Sequence, residues 1–139
     1  MPLESFTDTN IGGNVMQSNE SSENYLETIL MLSKKLPVVR SVDIANELGY
    51  KKSSVSIAMK NLREKHHITV SDAGFIFLTE TGREIAERIF ERHELLTSLL
   101  EHLGVDAAIA EEDACRIEHV ISVESFEAIK SYAATKWNL

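Results

Sequence analysis

Two short amphipathic helices joined by a glycine turn, followed at once by a β-hairpin, leave this chain few possible folds. The first of the pair is Ser41-Val42-Asp43-Ile44-Ala45-Asn46-Glu47-Leu48. Ser41 starts it, Val42, Ile44, Ala45 and Leu48 are apolar, and Gly49 stops it. After a short turn, Ser53 is expected to cap the second helix. Val55, Ala58, Met59 and Leu62 form its inner stripe, while Ser54, Ser56, Ile57, Lys60 and Asn61 face outward. Ala45 is small where the two helices would cross. Ile68-Thr69-Val70 and Phe75-Ile76-Phe77-Leu78 then flank Ser71-Asp72-Ala73-Gly74. Two β-branched or aromatic runs around a glycine-containing turn read as a hairpin. Helix-turn-helix followed by hairpin is the order of a winged helix.

The flanks are helical in pattern. Residues 1–20 are rich in Ser, Thr, Asn, Gly and acids without an apolar period, and read as a disordered tail. Ser21 or Ser22 can cap a helix in which Tyr25, Leu26, Ile29, Leu30, Leu32 and Leu36 recur at helical spacing, until Pro37 ends it. Thr79 caps a long helix over about residues 80–103, with Ile85, Ile89, Leu96, Leu99, Leu100 and Leu103 on one face and Gly104 as its break. Helices over about 106–120 and 123–137 finish the chain, with Ala107, Ala108, Ile109, Ala110 and Ala114 small enough for close packing. The expected fold is mainly α: an N-terminal winged helix-turn-helix over residues 21–79, then a helical domain over 80–139. So short a helical half has much apolar surface, which pairing with a second copy would bury.

The net charge of −8 argues at first against nucleic acid, but its distribution does not. Residues 34–65 carry eight basic side chains and three acidic ones, while the segments on either side are acidic. A basic block in an acidic chain is an electrostatic footprint, because the local field governs phosphate binding. The second helix of the pair would lie in the major groove with its first residues near base edges. Ser53, Ser54 and Ser56 suit phosphate or base contacts, and Arg40, Lys51, Lys52 and Lys60 would neutralise phosphates. A lysine-rich solvated face, or a winged helix that binds protein, remains an alternative.

A second pattern carries metal chemistry. In Asp113-Ala114-Cys115-Arg116-Ile117-Glu118-His119-Val120 the only cysteine stands three residues before a glutamate and four before a histidine. On a helix these offsets put a thiol, a carboxylate and an imidazole on one face, half of a transition-metal site. Glu23-Asn24-Tyr25-Leu26-Glu27 offers two further oxygen ligands, Asn24 and Glu27, one turn apart. One cysteine cannot close an intramolecular disulfide, and neither a membrane-length apolar run nor a signal region is present, so a cytoplasmic setting is expected. Taken singly, Cys115 also reads as a buried small hydrophobe, His93 as a surface or capping histidine and Glu27 as a solvated face. A ligating thiol must lose its proton, so metal loading should rise with pH.

Together these runs, with Leu78-Thr79-Glu80-Thr81-Gly82 and Arg92-His93-Glu94-Leu95-Leu96, resemble the diphtheria toxin repressor family of metal-dependent regulators. That family includes the iron-dependent repressors and the manganese transport regulator, and the likeness covers about residues 21–130. It implies a homodimer that binds Fe(II) or Mn(II), then a palindromic double-stranded operator, and represses genes of metal homeostasis. The family's ligand positions fall on Asn24, Glu27, His93, Cys115, Glu118 and His119, in which case residues 80–139 bind metal and dimerise. An ancillary ligand of iron-type members falls near Glu111. Asn24 stands where iron-type members carry methionine and manganese-type members aspartate. Cys115 matches the iron type, whereas the length matches the manganese type. The thiolate prefers Fe(II), Co(II) and Zn(II) over Mn(II), so the lean is toward iron, with Zn(II) or Co(II) binding in vitro.

Two other classes compete. A metal-independent winged-helix regulator could be gated by a small ligand or by oxidation of Cys115. An enzyme is not expected, because the sequence shows no evident nucleophile–base pair, Gly-rich phosphate loop or HExxH motif.

Overall fold

Pro37 cannot continue a helix, and the first helix stops just before it. In the structure, a computed structural model, the backbone is described from Asn10 and the side chains from Glu20 onward. Helix α1 spans Asn10–Lys35. It therefore begins well before the serines expected to cap it. Residues 10–20 of the expected tail are helical, and residues 1–9 lie outside the described residues. Helix α2 is Ser41–Leu48, α3 is Lys52–Glu64, and strands β1, Ile68–Val70, and β2, Ile76–Leu78, form the wing. Then follow α4, Glu80–His102, α5, Ala107–Ile117, and α6, Val123–Trp137. The chain divides into two compact units, Met1–Ala86 and Glu87–Leu139, with the division inside α4.

In the first unit the expected stripes turn inward. Leu26, Ile29 and Leu30 of α1, Ile44 and Ala45 of α2, and Val55, Met59 and Leu62 of α3 are buried. Val39, Ile68 and Ile76 are buried with them. Tyr25 is buried edge-on to Tyr50, and burial pushes its phenol above the ordinary tyrosine range, with Tyr50 adding to the shift. Gly49 adopts φ +69°, the left-handed conformation, and its N–H closes α2 on the Ala45 carbonyl. The cap of α3 differs from expectation. Lys51, with extended backbone, precedes the helix, and Ser53 lies inside the first turn.

The wing is a two-stranded antiparallel ribbon pairing Ile68 with Leu78, Thr69 with Phe77 and Val70 with Ile76. The Ile76 N–H donates to the Val39 carbonyl, fastening the hairpin to the segment before α2. The Arg40 guanidinium lies over the Phe75 ring, 4.9 Å from its centre.

The passage from α3 into the wing is tight. His66 takes a positive φ of 63°, and the His67 N–H reaches back to the Leu62 carbonyl, closing the end of α3. Burial, then Lys65 and His66, hold the His67 imidazole below the ordinary histidine value. Thr79 caps α4 as expected, its Oγ1 accepting from the Gly82 N–H. The same hydroxyl donates to the His66 carbonyl, and the Thr79 N–H donates to that of His67. Gly82 sits directly against the His67 carbonyl, where any Cβ would collide with backbone. The Thr-x-x-Gly spacing is thus a helix cap plus a close backbone approach.

In the second unit Ile89, Leu96, Ala110, Ala114, Phe126 and Ala133 are buried. Asp106 caps α5 by accepting from the Ala108 N–H, and Ser122 caps α6 by accepting from the Ser125 N–H. Leu103, expected on the apolar face of α4, is 61% exposed, because the helix has ended at His102.

Gly82→Ala should destabilise the protein by about 1–3 kcal/mol, despite alanine's better helix propensity, because rigid backbone has to move. Chemical denaturation of the two proteins measures this, and equal stability would show that the Gly82–His67 approach is not a constraint.

Candidate metal centre and nucleic-acid surface

Consecutive residues of α4 act on the same glutamate. Arg92 is buried in the apolar stripe, and its Nη1 donates to the Glu118 carbonyl at 3.1 Å and to the Ile121 carbonyl at 3.0 Å. Its guanidinium rests over the Phe126 ring, 5.4 Å from the centre. Arg92 thus fixes the backbone where α5 ends and α6 is about to begin. His93, next in sequence, brings Nδ1 to 2.8 Å from Glu118 Oε2. His119 Nε2 lies 3.3 Å from Glu118 Oε1. The Glu118 side chain has no exposed surface, so its carboxylate is held between two imidazoles away from bulk water.

Cys115 stands one turn earlier on α5. Donor atoms of His93, Cys115 and Glu118 all lie within 4.8 Å of one another. An ion with bonds of about 2.0–2.3 Å can take such donors after small adjustments. The donor chemistry fits too, since thiolate and imidazole suit first-row transition metals and a buried carboxylate needs positive charge beside it. Cys115 is exposed, which removes its reading as buried core filler. Helix α5 stops at Ile117 instead of running to residue 120, yet Glu118 keeps helical backbone angles, so the expected one-turn offset from Cys115 survives.

Asn24 and Glu27 belong to the first unit, one turn apart on α1. Glu27 is buried, which argues against the solvated-face reading. The Asn24 backbone carbonyl accepts the Thr28 hydroxyl, and its side chain is half-buried. Glu111 is exposed on α5.

The expected DNA contacts all lie on the surface. Arg40, Lys51, Lys52, Ser53, Ser54, Ser56 and Lys60 are exposed, and α3 presents an outward face of serines, lysine, asparagine and Ile57. Among the described residues, no helix is long and apolar enough to cross a membrane.

Comparison with known proteins matches both units. Residues 18–72 match the N-terminal DNA-binding domain of iron-dependent repressors, and residues 79–135 match their metal-binding and dimerisation domain. The chain belongs to the iron-dependent repressor family. It is a metal-dependent transcriptional repressor. It is 33% identical over 116 residues to an uncharacterized HTH-type transcriptional regulator of Methanocaldococcus jannaschii, covering 82% of this chain and 93% of that one. It is 34% identical over 109 residues to the HTH-type transcriptional regulator MntR of Bacillus pumilus, covering 78% and 76%. A manganese-dependent transcriptional repressor solved with manganese aligns at a TM-score of 0.74 and 25% identity, over 80% of this chain and 51% of that one. The T. acidophilum IdeR aligns at 0.71 and 25%, over 79% and 52%. The repressor therefore spans about half the length of those two solved chains.

Arg92 was not singled out as a functional residue from sequence, although a signal for it exists. Ile85, Ile89, Arg92 and Leu96 follow at helical spacing, so an arginine occupies an apolar stripe position. Arg92→Met keeps most of the side-chain volume but removes both donors. Hydrogen bonds from charged groups contribute about 1.5–3 kcal/mol each, so a loss of ~2 kcal/mol or more is expected. Denaturant unfolding reads it, and a variant as stable as the parent would mean that Arg92 does not hold the α5–α6 junction.

Proposed function

We propose that this repressor is a cytoplasmic homodimer that uses Fe(II) or Mn(II) as co-repressor and binds palindromic operator DNA to control genes of metal homeostasis. The observation that carries the reading is the convergence of His93, Cys115 and Glu118 around a fully buried carboxylate. The proposed ligand set is Asn24, Glu27, His93, Cys115, Glu118 and His119. Arg40, Lys51, Lys52, Ser53, Ser54, Ser56 and Lys60 are the proposed DNA contacts.

A bound divalent ion would supply positive charge and a cross-link among these donors. Glu118 needs that charge because water cannot reach it, and Arg92 holds its backbone so that the carboxylate faces His93. Asn24 and Glu27 lie on the helix that packs against α2, α3 and the wing. Ligation of these two residues would therefore bear on the DNA-reading unit. In a dimer the two α3 helices must enter successive major grooves about 34 Å apart. A protein without the ion would have to order its two heads on binding, and that cost weakens DNA affinity. A coupling of about 1–3 kcal/mol, typical of such systems, corresponds to roughly 5–150-fold in affinity.

The thiolate of Cys115 draws the choice of ion toward Fe(II), whereas two similar solved structures are of a manganese-dependent transcriptional repressor and a manganese regulator. Zn(II) and Co(II) suit the same donors and are expected to bind in vitro. The relatives are DNA-binding regulators, and we read the His93–Glu118 pair as a ligand pair and not as catalytic machinery.

Anaerobic titration of Fe(II) and Mn(II) against the chain's own promoter region, beside a chelated control, tests the reading. Binding should tighten with at least one ion, and the one that acts at lower free concentration is the signal. Equal binding in all three conditions would point instead to a metal-independent regulator.

A further inference from the structure

The outward face of α3 carries one side chain that phosphate binding does not explain. Ser53 and Ser54 stand four and three residues before Ile57, and Lys60 and Asn61 three and four after it, opposite the buried Val55, Met59 and Leu62. All five are exposed, and Ile57 is 63% exposed in the middle of that stripe. Leaving an aliphatic group in water adds nothing to the fold, and isoleucine is a mediocre helix former at a surface position. A lone exposed isoleucine is ordinary on a protein surface. This one stands among serines and lysines, on the helix whose basic surroundings complement DNA.

Among its neighbours only Asn61 has the paired donor and acceptor that read one base, adenine, while the serines and lysine discriminate poorly. A serine hydroxyl both donates and accepts, and lysines at phosphates carry no sequence information. In the major groove the base edges offer one apolar group, the C5-methyl of thymine. We infer that Ile57 determines specificity by packing on the 5-methyl group of a thymine in each operator half-site. This rests on the repressor reading above, with α3 as the helix in the major groove. The side chain discriminates in two ways. It gains apolar contact with thymine, and against cytosine or a purine it would cover a donor or acceptor for which it has no partner.

The test needs no known operator. Duplexes are selected from a randomised pool with the full chain and Fe(II) or Mn(II), in separate anaerobic selections, for the parent and for Ile57→Ser. Each thymine of the parent's consensus is then replaced by deoxyuridine, which lacks only the methyl. One thymine per half-site should lose roughly four-fold in parent affinity on replacement, the effect of one lost methyl contact. Ile57→Ser should show no loss there, and its selected duplexes should be relaxed at that base pair alone. Ile57→Val, which keeps an aliphatic contact, should retain the methyl sensitivity. Metal loading and thermal midpoint should be unchanged in both variants, since Ile57 contributes little to the core. Equal deoxyuridine losses in parent and Ile57→Ser, or no methyl-sensitive thymine, would overturn the inference and leave the repressor reading standing. Failure to enrich any duplex with either ion would overturn both.

Discussion

The Glu118 carboxylate has no contact with bulk water, and much of the second unit is organised around that fact. A buried carboxylate is costly unless opposite charge or strong donors surround it. His93 and His119 flank it, and Cys115 stands one turn away on the same helix. Arg92 adds a buried guanidinium, but spends it on the carbonyls of residues 118 and 121, where it closes the α5–α6 junction. Arg92 therefore acts on the Glu118 backbone, while the two imidazoles lie against its carboxylate. Such an arrangement suits a switch, because the environment changes most when a divalent charge arrives.

The first unit has a different logic. Its core is an ordinary apolar one from α1, α2, α3 and the wing, and its basic residues are spread on the surface. Exposed lysines around α3 cost the fold little, and in the proposed role as phosphate contacts their contribution would be sequence-independent and weakened by salt. Sequence discrimination has to come from side chains other than phosphate-binding lysines, and the exposed face of α3 offers serines, an asparagine and Ile57. Control by metal needs only a modest coupling between the two functions, because a change of one or two kcal/mol alters operator occupancy many-fold.

Much of this was legible in the chain because it rests on local rules. Pro37 and Gly49 end their helices where the sequence says, Thr79 caps α4, and the apolar stripe of α3 faces inward with Ile57 and Lys60 outward. The wing follows from β-branched runs around Gly74. The misses have physical causes. Ser53 has good capping chemistry, but the backbone turns into the helix at Lys51, before it. The start of α1 at Asn10 was hidden by a polar segment without apolar period. Gly82 and Arg92 owe their roles to long-range approaches, to His67 and to residues 118 and 121, which no local pattern encodes. Likewise Cys115, Glu118, His119 and His93 could be named as candidates from spacing and resemblance. The 2.8 Å meeting of His93 with Glu118 needed three dimensions.

The central claim is that one ligand cluster couples metal and DNA, and coupling is reciprocal. The most direct measurement is the Mn(II) or Fe(II) binding isotherm with and without the promoter duplex, for the parent and for Glu118→Gln. The parent's metal affinity should rise on adding DNA by the same factor by which metal tightens DNA binding. Glu118→Gln should lose both effects together. If Glu118→Gln lost metal binding but kept metal-stimulated DNA binding, the cluster would not be the switch.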